Sequence, residues 1–230
     1  MKFQLMLAPM EGITDATFRT LAHRNGADLT FTEMARVANL ARGKKGELAR
    51  IAIPDGTPTQ IQLAGSKLPE YEKFLSTFKA SEGFRGFNLN LGCPSPSFIR
   101  QGIGAAMIKR VARVQEIIGL INRNGFECSV KLRLGLNQYE KERGAYLNLI
   151  KNADASFFVV HPRTAAQTDA DPADVSVYKR CIATGKRIVA NGGIRTNEQA
   201  MEMKAKGMYG AMIGRTAVDN PKIFSELQVG

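Results

Sequence analysis

Three cysteines, at positions 93, 128 and 181, are all that this chain of 230 residues carries. The number is odd and no C-x-x-C pair occurs, which argues against both a disulfide framework and a structural zinc site. No metal is expected, and a reducing, cytoplasmic setting is. No run of about 18 apolar residues occurs either, so no membrane-spanning helix is expected. Met1-Lys2-Phe3-Gln4-Leu5 leads straight into a strand-like segment, leaving no room for a signal peptide. Acidic residues are the minority: 21 Asp and Glu against 32 Lys and Arg, a net charge of +11. That balance fits a well-solvated surface or a polyanionic partner. Low-complexity tracts, linkers and short repeats are also missing. A chain of this length with 44% hydrophobic residues suits one domain with a large core.

What is present is an alternation. Strand-like segments fall at 4–9, 29–32, 59–63, 87–91, 128–132, 157–161, 187–190 and 208–213. Between them lie helical spacings: Phe18, Leu21 and Ala22 before Asn25-Gly26, then Tyr71, Phe74, Leu75 and Phe78. Further helices are expected over 111–122, 140–151 and 175–183, and the second strand leads into an irregular basic segment at 42–45. Thr196 with Gln199 makes a capping box for a helix over 196–206 that stops at Gly207. Short strands joined by helices pair in parallel, and eight of them favour closure into a (β/α)8 TIM barrel over an open sheet. Residues 1–230 read as one such domain. After the eighth strand, 221–227 allows at most two helical turns, and no helical domain is expected to follow.

In such a barrel the C-terminal ends of the strands share one face, where active sites form. Here those ends carry Pro9-Met10-Glu11-Gly12, Thr32-Glu33, Gln60 and Gln62, Asn88, Asn90 and Cys93, Lys131 and Arg133, His161-Pro162-Arg163, Asn191-Gly192-Gly193, and Gly214-Arg215. Buried polar groups need partners, and so many at one end point to a ligand. Loops after the last two strands of barrels commonly bind phosphate; Gly192, Gly193 and Gly214 let backbone amides approach, and Arg215 adds a cation. An amine such as Lys131, aimed at a ring that gains negative charge on reduction, would stabilise the reduced form. Flavin mononucleotide, FMN, meets these requirements with a phosphate at one end and a polar-edged ring at the other. Taken alone, Cys93 is open to several roles: nucleophile, metal ligand, proton donor, or a small buried hydrophobe.

The ordered set resembles the dihydrouridine synthase family of flavin-dependent RNA-modifying enzymes. It is carried by Ala8-Pro9-Met10-Glu11-Gly12-Ile13-Thr14-Asp15, Thr32-Glu33-Met34, Gln60-Ile61-Gln62-Leu63, Asn90-Leu91-Gly92-Cys93-Pro94, Val130-Lys131-Leu132-Arg133-Leu134-Gly135, Val160-His161-Pro162-Arg163-Thr164, Ala190-Asn191-Gly192-Gly193-Ile194 and Met212-Ile213-Gly214-Arg215. These motifs run the length of the chain in order. The resemblance implies that Pro9, Met10, Glu11, Gln62, Lys131, His161, Asn191, Gly192, Gly193, Gly214 and Arg215 hold FMN. It implies that Asn90 sits beside flavin and uracil, and that Cys93 is the proton donor. The implied reaction reduces uridine in RNA, most often transfer RNA. NADPH or NADH reduces the flavin, hydride passes to uracil C6, and Cys93 protonates C5. A neutral thiol, with an ordinary pKa of about 8.5, can serve as that acid.

The target base has to leave its stack to reach a barrel mouth. Arg42, Lys44, Lys45, Arg100 and Lys109 lie in or near loops of that face, and with Arg133 and Arg163 they are the candidate RNA contacts. A monomer that grips RNA electrostatically is expected. Three features depart from the family pattern. The helical domain that usually follows the barrel is not expected. The loop Ser95-Pro96-Ser97-Phe98-Ile99-Arg100 lacks a lysine often found there. The segment Thr168-Asp169-Ala170-Asp171-Pro172-Ala173-Asp174 replaces an aromatic-rich turn with Trp, a residue this chain does not contain. The alternative reading is a small-molecule FMN oxidoreductase related to dihydroorotate dehydrogenase, which also places Asn and Cys-Pro at a strand end. The basic cluster at 42–45 argues against it, and the pairing of Cys93 with Lys131 argues against a non-catalytic RNA-binding barrel.

Overall fold

The computed structural model of the protein describes residues 2–227. Nine strands make one parallel sheet: β1 (Gln4–Leu7), β2 (Thr30–Phe31), β3 (Ala35–Arg36), β4 (Thr59–Ala64), β5 (Phe84–Leu91), β6 (Cys128–Leu132), β7 (Phe158–Val160), β8 (Ile188–Asn191) and β9 (Gly210–Ile213). Their order is β1-β9-β8-β7-β6-β5-β4-β2, with β3 also on β4. β2 and β3 therefore occupy one position, interrupted by a three-residue break, and the count of barrel positions is eight. The ring closes between β1 and the residues before β2. Met6 bridges Leu29, the Leu7 amide donates to the Leu29 carbonyl (3.0 Å), and the Asp28 amide donates to the Leu5 carbonyl (2.8 Å). The (β/α)8 barrel expected from the alternation is what forms.

Strands buried on both faces should be apolar throughout, and the outward faces largely are, apart from the buried Thr30 and Thr59, whose hydroxyls bond each other at 2.8 Å. Leu63, Phe87, Leu89, Val130, Leu132, Phe158 and Val160 belong to one buried cluster with Tyr71, Phe74, Val114, Ile117, Ile118 and Ile121 from the covering helices. The inward face is split. Met6, Phe31, Val159, Val189 and Met212 fill one half with apolar side chains. Gln60, Gln62, Asn88 and Ser129, all buried, fill the other. The division follows register: Gln62 pairs with Asn88, and Asn88 with Ser129, while Lys131 pairs with Val159, and Val159 with Val189.

Several elements differ from expectation. The helix expected over 140–151 is two helices, Gln138–Glu142 and Ala145–Asn152, because Gly144 takes φ +70° at the junction. Of the basic segment at 42–45, Arg42, Gly43 and Lys44 connect the helices Val37–Leu40 and Lys45–Arg50, and Lys45 opens the second helix. A further helix, Pro96–Gln101, follows Cys93. Leu21 is exposed at 42%, whereas its neighbour Arg19 is buried and donates to the carbonyls of Thr14 (2.8 Å) and Ala52 (2.5 Å). After β9 the described residues form two short helices, Arg215–Asp219 and Ile223–Glu226.

Candidate active site

A single hydrogen-bonded chain crosses the polar half of the barrel. Gln60 Nε2 donates to the Arg85 carbonyl (3.0 Å), Ser129 Oγ to Gln60 Oε1 (2.6 Å) and Asn88 Nδ2 to Ser129 Oγ (2.7 Å). Gln62 Nε2 then donates to Asn88 Oδ1 (2.7 Å), and Asn90 Nδ2 to Gln62 Oε1 (2.9 Å). Every donor points the same way, so each bond polarises the next. The chain ends at the barrel mouth, where Asn90 Oδ1 accepts from the amides of Gly92 (3.1 Å) and Cys93 (2.9 Å). Gln60 and Asn88 satisfy each other through Ser129 and need no ligand. Gln62, expected at the flavin, has its amide tied on both sides, to Asn88 and Asn90.

Cys93 is thus held from below by Asn90. From the side, the Ala105 amide donates to the Cys93 carbonyl (3.1 Å). Gly104 makes that approach possible: with φ +61°, a Cβ there would lie 2.8 Å from the Cys93 carbonyl oxygen. The half-buried Cys93 opens on a pocket of about 220 Å³ that also includes Glu11, Met34, Arg36, Arg50 and Phe98. Arg36 lies over the Phe98 ring at 4.8 Å, and Arg50 pairs with Glu11 at 3.2 Å. The other thiols are unsuited to chemistry. Burial pushes the Cys128 thiol up, and pushes that of Cys181 up to about 12.

Across the mouth lies a second cavity of about 500 Å³. Ala8, Pro9, Met10 and Met212 give it apolar walls; Lys131, Arg133, His161, Asn191, Gly192, Gly193, Gly214 and Arg215 give it donors. Lys131 is placed next to Asn90 by the β5–β6 register. Burial, reinforced by the nearby Arg133, lowers its pKa to about 8. His161 is lowered to about 2, first by burial and then by Lys131 and three arginines, so the ring is neutral. Arg163 Nη1 is 3.0 Å from His161 Nε2. A guanidinium can only donate, which puts the imidazole proton on Nδ1. Asn191 spends its Nδ2 on the Met212 carbonyl (3.0 Å) and keeps its oxygen available. Gly192 takes φ +100°, and a Cβ there would lie 2.8 Å from His161 Cδ2. Only glycine lets this turn lie against the imidazole.

The two sites bring together most of the expected residues but redistribute four. Glu11 lines the Cys93 pocket and not the larger cavity, because Ile13 and Thr14 both donate to the Met10 carbonyl and turn the chain outward. Arg133, expected on RNA, lines the larger cavity and donates to the carbonyls of Thr164 (2.7 Å) and Gln167 (3.0 Å). Arg163 is buried, and its Nε donates to the Asp171 carbonyl (2.8 Å). Lys109 pairs with Glu140 at 2.7 Å. Arg42, Lys44, Lys45 and Arg100 are exposed. Sequence reasoning missed Arg36, Phe98, Gly104 and Asp169, which come to the sites through contacts across the fold.

The architecture and the mouth define a (β/α)8 barrel with a cationic, ligand-sized cavity beside a fixed thiol. The chain belongs to the dihydrouridine synthase family, whose model matches residues 6–229. It is 29% identical to tRNA-dihydrouridine synthase B of Pseudomonas putida, over 97% of this chain and 67% of that protein. It is 30% identical to a probable tRNA-dihydrouridine synthase of Helicobacter pylori, over 97% of this chain and 70% of that one. The chain thus spans about two thirds of the length of these relatives. Among solved structures it resembles N-(5'-phosphoribosyl)anthranilate isomerase from Pyrococcus furiosus (TM-score 0.57, 13% identity, 99% of this chain and 96% of that). It also resembles nitroalkane oxidase from Streptomyces ansochromogenes (TM-score 0.55, 16% identity, 92% of this chain and 65% of that). At such identities these two likenesses speak to the barrel alone. No helix among the described residues is long and apolar enough to cross a membrane.

Proposed function

We propose that this chain reduces uridine in tRNA to 5,6-dihydrouridine, with FMN as cofactor and NADPH or NADH as reductant. The observation that carries the reading is the placement of Cys93: a thiol clamped through Asn90, facing one small pocket, with a cationic cavity across the same mouth. The cavity fits FMN on its donor set. Lys131, Arg133, Arg195 and Arg215 outnumber the carboxylates of Asp169 and Asp219. The exposed Gly193 backbone and Arg215 suit a phosphate, Ala8, Met10 and Met212 suit the flat faces of a ring, and Lys131, His161 Nδ1–H and the Asn191 oxygen suit its polar edge. A volume of about 500 Å³ lies within the ordinary range for such ligands.

When bound, FMN supplies a hydride to C6 of the uracil. The chain's own residues do the rest. Cys93 gives its proton to C5, so that one hydride and one proton add across the double bond, and solvent returns a proton to the thiolate. Asn90 fixes the peptide that carries the thiol. Lys131, charged below pH 8 or so, offers positive charge where the ring system becomes more negative. Arg36 and Arg50 line the pocket through which the base arrives, and Arg42, Lys44, Lys45 and Arg100 supply phosphate contacts outside it. A small-molecule pyrimidine reductase is not favoured, since the match over nearly the whole of this chain is to dihydrouridine synthases. The test is purified protein with FMN, NADPH and an unmodified tRNA transcript, read by nucleoside mass spectrometry. Dihydrouridine is expected; a transcript left unchanged by protein that has taken up FMN would overturn the reading.

A further inference from the structure

We propose that Asp169 sets the affinity of the larger cavity for phosphate-bearing ligands, by holding Arg215 with a carboxylate of the chain's own. This rests on the FMN reading for the name of the ligand, and on geometry alone for the competition. Asp169 Oδ2 lies 3.0 Å from Arg215 Nη1, and Oδ1 lies 3.9 Å from Arg163 Nη1. The same carboxylate lines the cavity and acts on the charges of Lys131 and Arg133. It is therefore the anion at the centre of a cluster of four cations. Any phosphate that reaches Arg215 meets a like charge and takes Arg215 from its partner.

The segment that carries Asp169 is built to hold it there. Arg163, buried, donates through Nε to the Asp171 carbonyl (2.8 Å) and through Nη2 to the Asp169 carbonyl (3.4 Å). Asp171 accepts from both the amide and the hydroxyl of Thr168, at 2.7 and 2.8 Å. These bonds fix the turn without using the Asp169 side chain. The carboxylate can swing away from Arg215 while the turn stays in place. This is the segment that stands where an aromatic-rich turn is expected from the family pattern, so the competing charge belongs to this chain's own loop. Asp169 is a specificity-determining residue and takes no part in the chemistry.

The test compares FMN with riboflavin, which lacks the phosphate, by quenching of flavin fluorescence on the ligand-free protein. Asp169→Asn keeps the turn and removes the charge. It is expected to tighten FMN by about two- to fivefold, the scale of one solvent-exposed charge pair, and to leave riboflavin unchanged. Asp169→Glu, which retains the charge, should stay near wild type. Equal shifts for both flavins, or no shift for FMN, would overturn the proposal. Inorganic phosphate, titrated by calorimetry, gives the readout independent of flavin. If the protein takes up neither flavin, the cofactor reading fails, yet Asp169→Asn must still tighten phosphate and Arg215→Gln weaken it. Unchanged phosphate binding in Asp169→Asn would then refute the competition itself.

Discussion

Replacing Asn90 by Ala should damage both stability and turnover, and the hydrogen-bond chain indicates by how much. The substitution removes the acceptor for the Gly92 and Cys93 amides and the donor to Gln62 Oε1. Gln62 is buried, so its oxygen is left unpaired at a cost of about 1–3 kcal/mol. The two amides are half-buried and can turn to water, costing about 0.5 kcal/mol each. A total of about 3 kcal/mol lowers the melting temperature of a domain this size by about 9 °C. Ser129→Ala is the control. It orphans Asn88 Nδ2 and Gln60 Oε1 at the lower end of the chain, with a comparable thermal cost, but leaves the Cys93 loop in place. Circular dichroism melts should therefore show both variants destabilised, while single-turnover assays at 20 °C or so show loss of dihydrouridine formation only in Asn90→Ala. An Asn90→Ala melt within about 2 °C of wild type, or equal turnover in the two variants, would refute the clamp.

Lys131 gives a pH prediction. Its folded pKa, about 8, lies below the ordinary lysine value, so between there and about 10.5 the unfolded chain holds more protons on this amine and the Lys131 contribution to stability rises with pH. The buried Cys128 and Cys181 thiols, raised in the folded chain, act the other way. Thermal melts of ligand-free protein at stepped pH should therefore show wild type gaining stability relative to Lys131→Met across that window; a constant difference between the two would refute the lowered pKa. Affinity for FMN should fall above about pH 8 in wild type, with the fall absent in Lys131→Met. Changing Arg42, Lys44 and Lys45 together to Glu should raise the KM for tRNA and leave reduction of the flavin by NADPH unchanged. If four to six phosphates are contacted, RNA affinity should show a log–log salt slope of about −3 to −5 in wild type, and a shallower one in the triple variant. An unchanged KM at low salt would move the RNA path elsewhere.

The barrel was legible because its strands are short, apolar outward and separated by helix-length crossovers; β6 falls at 128–132 in both readings. The helices Val37–Leu40, Lys45–Arg50 and Pro96–Gln101 were not, because four to six residues are too few to show a helical period. Gly144 broke a helix that apolar spacing ran through. At the site, residue types at strand ends were readable, but their destinations depend on register and on partners far away in the chain. Gln60 and Asn88 looked like ligand groups until Ser129 joined them. Glu11 was read with its neighbours Pro9 and Met10, although Arg50 pairs with it in a different pocket. Asp169 carried no sequence signal, since only Arg163 and the fold bring it to Arg215.

The role of Cys93 is tested most directly by the rate of dihydrouridine formation on unmodified tRNA by Cys93→Ala, measured in a single turnover with pre-reduced FMN and set beside Cys181→Ala. Loss of a positioned acid should slow Cys93→Ala by about 10²–10⁴ with its FMN content unchanged, while Cys181→Ala keeps the wild-type rate. A Cys93→Ala rate within about threefold of wild type, or an equal loss in Cys181→Ala, would show that the proton at C5 does not come from this thiol.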